Sequence, residues 1–154
     1  MNNPKEAESC NDRGVAFAQS GQLDKAVELF KTAASYDANY AEPHQNLAFA
    51  YYQKGRFHEA VNEAQTALRI RPNYGDARCL LSGLYLDLGQ TDDAISESQL
   101  VVRFEPNNGE AHYLLARAYF KQGKRSEAIR EAELALKSGG WEEESRQLLT
   151  SLRR

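Results

Sequence analysis

The side chains able to do chemistry in this chain are few and dispersed. The candidates are three histidines (His44, His58 and His112), two cysteines (Cys10 and Cys79) and 22 carboxylates. A metal site needs several ligands converging on one point. His44 and His112 occupy equivalent places in a 34-residue repeat, two units apart. That is roughly 20 Å if the units stack at helix-packing distance, and His58 stands alone near a turn. They read as three unrelated histidines. No serine or cysteine has a base partner at a motif spacing. No glycine-rich loop opens a helix to cradle phosphate, because each turn glycine ends a helix instead. The carboxylates recur at helical intervals, as on solvated faces. Cys10 and Cys79 read as two free thiols at helical positions rather than a bridge or a redox pair. The chain therefore reads as non-enzymatic, with no catalytic residue, cofactor or metal.

Bulk properties narrow the partners. A formal net charge of -3 and a pI near 5.7 give no electrostatic grip on phosphate backbones. Mean hydropathy is -0.67, and no apolar run approaches the ~18 residues that span a bilayer. Met1-Asn2-Asn3-Pro4-Lys5 lacks the basic and apolar regions of a signal peptide. The expectation is a cytoplasmic protein with no nucleic-acid partner and no membrane insertion.

What positions the side chains is the repeat. Gly21, Gly55, Gly89 and Gly123 share its spacing, as do Ala26, Ala60, Ala94 and Ala128. So do Phe17, Tyr51, Tyr85 and Tyr119. A strict period of this length means stacked two-element units. The units are residues 7–40, 41–74, 75–108 and 109–142, within a single domain spanning 1–154. Each reads as helix, tight turn, helix, short loop. In unit two the first helix runs from about Glu42 to Lys54, opened by Pro43 and ended by Gly55. The second runs from about Phe57 to Arg69, and Pro72 blocks its continuation. Gly14, Ala48, Ser82 and Ala116 form a small-residue row on the first helices, and Ala26, Ala60, Ala94 and Ala128 form one on the second. Two such rows let paired helices approach closely. After Gly139-Gly140, a last helix over about 141–152 reads as a solvating cap, with Leu149 at the buried leucine position and Thr150 at the small one.

These residues resemble the tetratricopeptide repeat family over residues 7–142. The resemblance implies an all-α fold, a right-handed α-solenoid of four helix-turn-helix repeats plus the C-terminal capping helix. It also implies peptide binding on a concave face lined by the first helices. The chain departs from the pattern in places. Cys10, His44, Arg78 and His112 replace an early large aromatic. The late large residue survives only as Phe30, with Ala64, Ser98 and Ala132 elsewhere. Arg13 stands where Leu47, Leu81 and Leu115 do, in the outermost unit, which has no preceding neighbour to bury it.

At about 100° per residue, repeat positions 2, 5, 6, 9, 12 and 13 share an arc opposite the packed side. Unit one presents a polar, acidic set there, including Glu8, Asp12 and Val15. Units two to four present Phe49, Tyr52, Cys79, Leu80, Leu86, Tyr113, Leu114 and Phe120, with Arg117 and Lys121 adding positive charge. An exposed face should be polar unless something covers it. The expected binding residues are Asn46, Phe49, Tyr52, Leu80, Tyr113, Leu114, Arg117 and Lys121. They describe an apolar groove with a cationic end and an acidic lip from Glu8, Asp12, Glu42 and Asp76. In the competing reading, Tyr52, Leu86 and Phe120 pack on the adjacent first helix and leave little free surface.

The carboxylate clamp that some relatives use for chaperone C-termini is absent. Of its positions, here Asn11, Val15, Asn46, Asp76 and Leu80, only Asn46 matches, and without the cations a clamp has no grip on carboxylates. The expected function is a scaffold or adaptor binding a peptide or helix of a protein partner. Its rivals are a self-associating assembly protein and an accessory domain of a larger enzyme or secretion complex.

Overall fold

The computed structural model describes residues 2–154, and every regular element among them is an α-helix. α1 (Pro4–Gln19) packs on α2 (Leu23–Tyr36), α3 (Ala41–Gln53) on α4 (Phe57–Ile70), and α7 (Gly109–Lys121) on α8 (Arg125–Ser138). α5 (Gly75–Asp87) is followed by α6 (Thr91–Phe104), and α9 (Glu142–Leu152) closes the chain. Four helix pairs and a final helix are the order expected from the period. Termini shift by a residue or so, except at the start. α1 begins at Pro4, ahead of the first full repeat at Ala7. Asn3 caps it by accepting from the Glu6 N–H at 3.3 Å, and Pro4 follows where a missing N–H is harmless.

Each pair turns on one glycine, with φ of 79° at Gly21, 73° at Gly55, 77° at Gly89 and 74° at Gly123. A Cβ added at Gly55 would meet nothing within 4 Å. The demand for glycine is therefore conformational, not steric.

The helices gather into two compact units, Met1–Leu80 and Leu81–Arg154, with the border inside α5. In the first, the two small-residue departures explain each other. A Cβ on Gly14 would lie 2.6 Å from Cε1 of Phe30, which is itself buried. The only large residue at that late position thus sits opposite the only glycine. Repeat two carries Ala48 and Ala64 at these places, both without exposed surface. Ala41, Ala67, Tyr74 and Ala77 form a further core cluster, flanked by Leu68 and Ile70.

In the second compact unit the same two places hold Ser82 and Ser98, both fully buried. Ser82 donates to the Ala94 carbonyl at 2.9 Å, so Ser98 donates to Ser82 across 2.7 Å. No buried hydroxyl of the pair is left unmatched, which is what burial requires. In the last pair, Ala116 and Ala132 join Leu149 of α9 in one cluster, with Ile129, Leu136 and Leu148 packed against it. α9 therefore does cover apolar surface, through Leu149 as expected. Thr150 does not follow the expectation. It is exposed and its hydroxyl donates back to the Arg146 carbonyl at 2.9 Å, while Ser145 and Leu152 are buried instead. The small position faces the second helix of its own pair, and among the described residues α9 has no such helix. Arg13 is exposed in α1.

Candidate functional site

Two concave features lie on the first helices, one in each compact unit. In the first, a pocket of about 370 Å³ is lined by Val15, Ala18 and Gln19 of α1, Phe30 of α2, and Asn46, Phe49, Ala50 and Gln53 of α3. Its α1 residues occupy repeat positions 9, 12 and 13, and Asn46, Phe49 and Gln53 occupy positions 6, 9 and 13. Both sets belong to the arc that the periodicity turns away from the packed side. Phe49 is 48% exposed beside the otherwise buried Ala50. The Phe49 ring is thus half in water beside an apolar hollow, not part of the core. Tyr52, one turn on, is 36% exposed and leans on Phe57 with ring centroids 5.7 Å apart.

A polar chain runs from this pocket to an acidic one. Asn46 donates to Asn11 at 2.8 Å, Asn11 donates to the Tyr40 hydroxyl at 3.3 Å, and Tyr40 donates to Glu42 at 3.1 Å. Asn46 is thus tied to its neighbour α1, which sequence spacing alone does not show. Pro4, Glu8, Asp37, Tyr40 and Glu42 line a second hollow of about 340 Å³. The Tyr40 phenol is pushed up to about 12, first by burial, then by its bond to Glu42, then by the negative charges of Glu42, Asp12 and Glu8. Arg71 approaches this hollow, 3.9 Å from Glu42 and 4.0 Å from the Tyr74 ring centroid.

In the second compact unit, a hollow of about 340 Å³ lies between α7 and α9. Tyr113, Arg117, Phe120 and Lys121 form one wall, and Glu144, Gln147, Leu148 and Ser151 the other. Phe120 is 50% exposed. Tyr113 stacks on Trp141, the residue that caps α9, at 5.1 Å and 18°. The two residues of the expected cationic end, Arg117 and Lys121, already have partners. Lys121 Nζ donates to the Leu86 carbonyl at 2.8 Å, where its charge complements the C-terminal end of α5. Arg117 stands 3.8 Å from Asp87 and 5.8 Å from the Tyr113 ring centroid.

The arc is narrower than periodicity suggested. Leu114 is 5% exposed, and Leu86 and Cys79 are buried as well. These side chains at the edge of the arc rotate into packing, so they are core rather than lining. Leu80 is partly buried in α5. For Leu86 the packing alternative holds, whereas Tyr52 and Phe120 keep open surface.

Sequence reading missed a repeated histidine–glutamate contact. His44 Nδ1 lies 2.7 Å from Glu63 Oε2, and His112 Nδ1 lies 2.7 Å from Glu131 Oε2, each pair 19 residues apart and bridging the two helices of its hairpin. His112 Nε2 also donates to the Pro106 carbonyl at 2.7 Å. The two histidines are related after all, as internal ties. The common 19-residue offset was the signal that could have found them.

Repeated helical hairpins with open pockets on the first helices define a helical-repeat recognition module, a class that binds protein or peptide. Family models agree on which one: one described as TPR repeat matches residues 14–55, and two described as tetratricopeptide repeat match residues 52–103 and 98–143. The chain belongs to the tetratricopeptide repeat family. No curated protein sequence matches it. Among solved structures, MamA residues 41 to the end from Desulfovibrio magneticus RS-1 is similar, with a TM-score of 0.84 and 23% identity over 96% of this chain and 84% of that one. YrrB, described as a TPR protein with an unusual peptide-binding site, gives a TM-score of 0.78 and 19% identity over 97% and 77%. The first TPR of Spaghetti (RPAP3), bound to the HSP90 peptide SRMEEVD, gives 0.77 and 20% over 79% and 97%. At these identities the likeness is one of fold. Among the described residues no helix is long and apolar enough to cross a membrane.

Proposed function

We propose that this protein is a non-catalytic adaptor that docks a peptide or helix of a protein partner on its first-helix face, with the Phe49 pocket as the anchor point. One observation carries the reading. Phe49 leaves about half its surface in water while lining a hollow of about 370 Å³ together with Val15, Ala18, Phe30 and Ala50. A partner side chain entering there would remove apolar surface from water on both sides. Asn46 and Gln53 at the same rim offer amide groups to a peptide backbone. Two structural neighbours are described as peptide-binding or peptide-bound, which supports the class of ligand and no particular sequence. Tyr113, Arg117 and Lys121 on α7 form a secondary contact region in this proposal.

The test is selection of a phage-displayed library of random 12-residue peptides on the intact protein, followed by binding of the selected peptides to Phe49→Asp. The expected result is peptides whose affinity falls at least ~10-fold in the variant, the loss of one buried anchor. Peptides that bind both proteins equally would move the site elsewhere.

A further inference from the structure

We infer that the partner segment docking at the Phe49 pocket is basic: an apolar or aromatic side chain fills the hollow, and a lysine or arginine a few residues away sits over Glu8, Asp12 and Glu42. The inference rests on the docking face proposed above and specifies the chemistry of what docks there.

Two features in the first compact unit are contiguous. Asn46 of the apolar pocket is linked to Tyr40 of the acidic hollow through the Asn11 side chain, by bonds of 2.8 and 3.3 Å. The acidic side carries Glu8 and Asp12 from α1, Asp37 from the turn before α3, and Glu42 from the first turn of α3. Among the described residues Arg71 stands 3.9 Å from Glu42, and Glu8, Asp12 and Asp37 make no ion pair. Glu8 and Asp12 are exposed, one turn apart on the same helix. Glu8 and Asp12 lie beyond the first turn of α1, where a carboxylate gains little from the helix dipole. Burial first, then the bond to Glu42 and the charges of Glu42, Asp12 and Glu8, push the Tyr40 phenol up to about 12. A ligand cation beside these carboxylates is attracted by the same negative charges. Along their helices Glu8 and Glu42 stand two turns, about 10 Å, from Val15 and Phe49 of the pocket. An extended peptide covers that distance in about three residues and a helix in about two turns. An acidic segment would meet like charge here, which excludes it from this end of the face.

The probes are three pools of fluorescein-labelled synthetic 12-residue peptides. Each has one fixed phenylalanine flanked within four residues by Lys and Arg, by Asp and Glu, or by Ser and Gln. Anisotropy is measured against the wild type, Phe49→Asp, and the double variant Glu8→Gln with Asp12→Asn, whose exposed sites leave the core untouched. We expect the basic pool to bind at least ~10-fold tighter than the others and to lose ~3- to 20-fold in the double variant, the range for two partly solvated ion pairs. Its binding should also weaken with added salt, and less steeply in the double variant. If the neutral or acidic pool binds as well, and still depends on Phe49, the charge inference is overturned while the docking face stands. If no pool depends on Phe49, the docking face itself fails and takes the inference with it.

Discussion

Tyr40, His112 and the Gly14–Phe30 pair show how single side chains are held. The Tyr40 phenol ionises near 12, above its ordinary range, so the folded state holds its proton more tightly than the unfolded chain does. That contribution to stability is complete below about pH 10 and is lost as pH rises through about 12. Because the ring is partly solvated, the loss is about 1–2 kcal/mol. Ultraviolet titration should show a late-ionising tyrosine, and Glu42→Gln should bring it earlier, because the bond to Glu42 and its charge follow burial among the causes.

His112 presents both ring nitrogens to acceptors, Pro106 and Glu131. His112→Ala strands a buried carboxylate and should cost about 2–4 kcal/mol in urea unfolding. Glu131→Gln should cost less than half as much, because a carboxamide can donate to Nδ1 while Nε2 still donates to Pro106. Equal losses for both would deny the hydrogen-bonded role. The sequence placed the histidines correctly and misread them as unrelated, because a partner 19 residues away is on another helix and no local pattern advertises it.

At the level of the helices, the close approach within each pair is set by two facing positions whose combined volume matters more than either identity. Gly14→Ala pushes a Cβ into the Phe30 ring and should cost about 1–3 kcal/mol. Phe30→Ala opens a cavity and should cost about 3–5 kcal/mol. Together they recreate the Ala48 and Ala64 arrangement of repeat two, so the double variant should fall short of additivity by about 1 kcal/mol or more in the same unfolding assay. Strict additivity would mean that the two positions do not share one space.

The helical pairs, their turns and most of their buried rows were legible because period and glycine placement are local properties repeated four times. Gly14 and Phe30 were visible as separate anomalies, yet their meeting was not. Lys121 shows the same gap: it read as a free cation, and its acceptor is a carbonyl 35 residues earlier, at another helix's end. The edge of the exposed arc was also beyond periodicity. Leu114 and Phe120 both lie within it, yet one is 5% exposed and the other 50%. Neighbouring side chains decide that difference.

For the molecule as a whole, the docking face proposed here is that of the first helices, and the pockets on them differ in character. The Phe49 pocket adjoins carboxylates, whereas the α7–α9 hollow has an aromatic stack and cations already paired. Leu149 anchors α9, so Leu149→Ala should destabilise the second compact unit by about 2–4 kcal/mol, read as faster amide exchange in α7 and α8 than in α1 and α2. The most direct measurement for the central claim is a 1H–15N titration of the intact protein with the tightest peptide from the random library. The account predicts shifts concentrated at Val15, Ala18, Asn46, Phe49 and Gln53. Shifts confined to the outward faces of α2 and α4, at Glu28, Lys31 and Arg69, would contradict it.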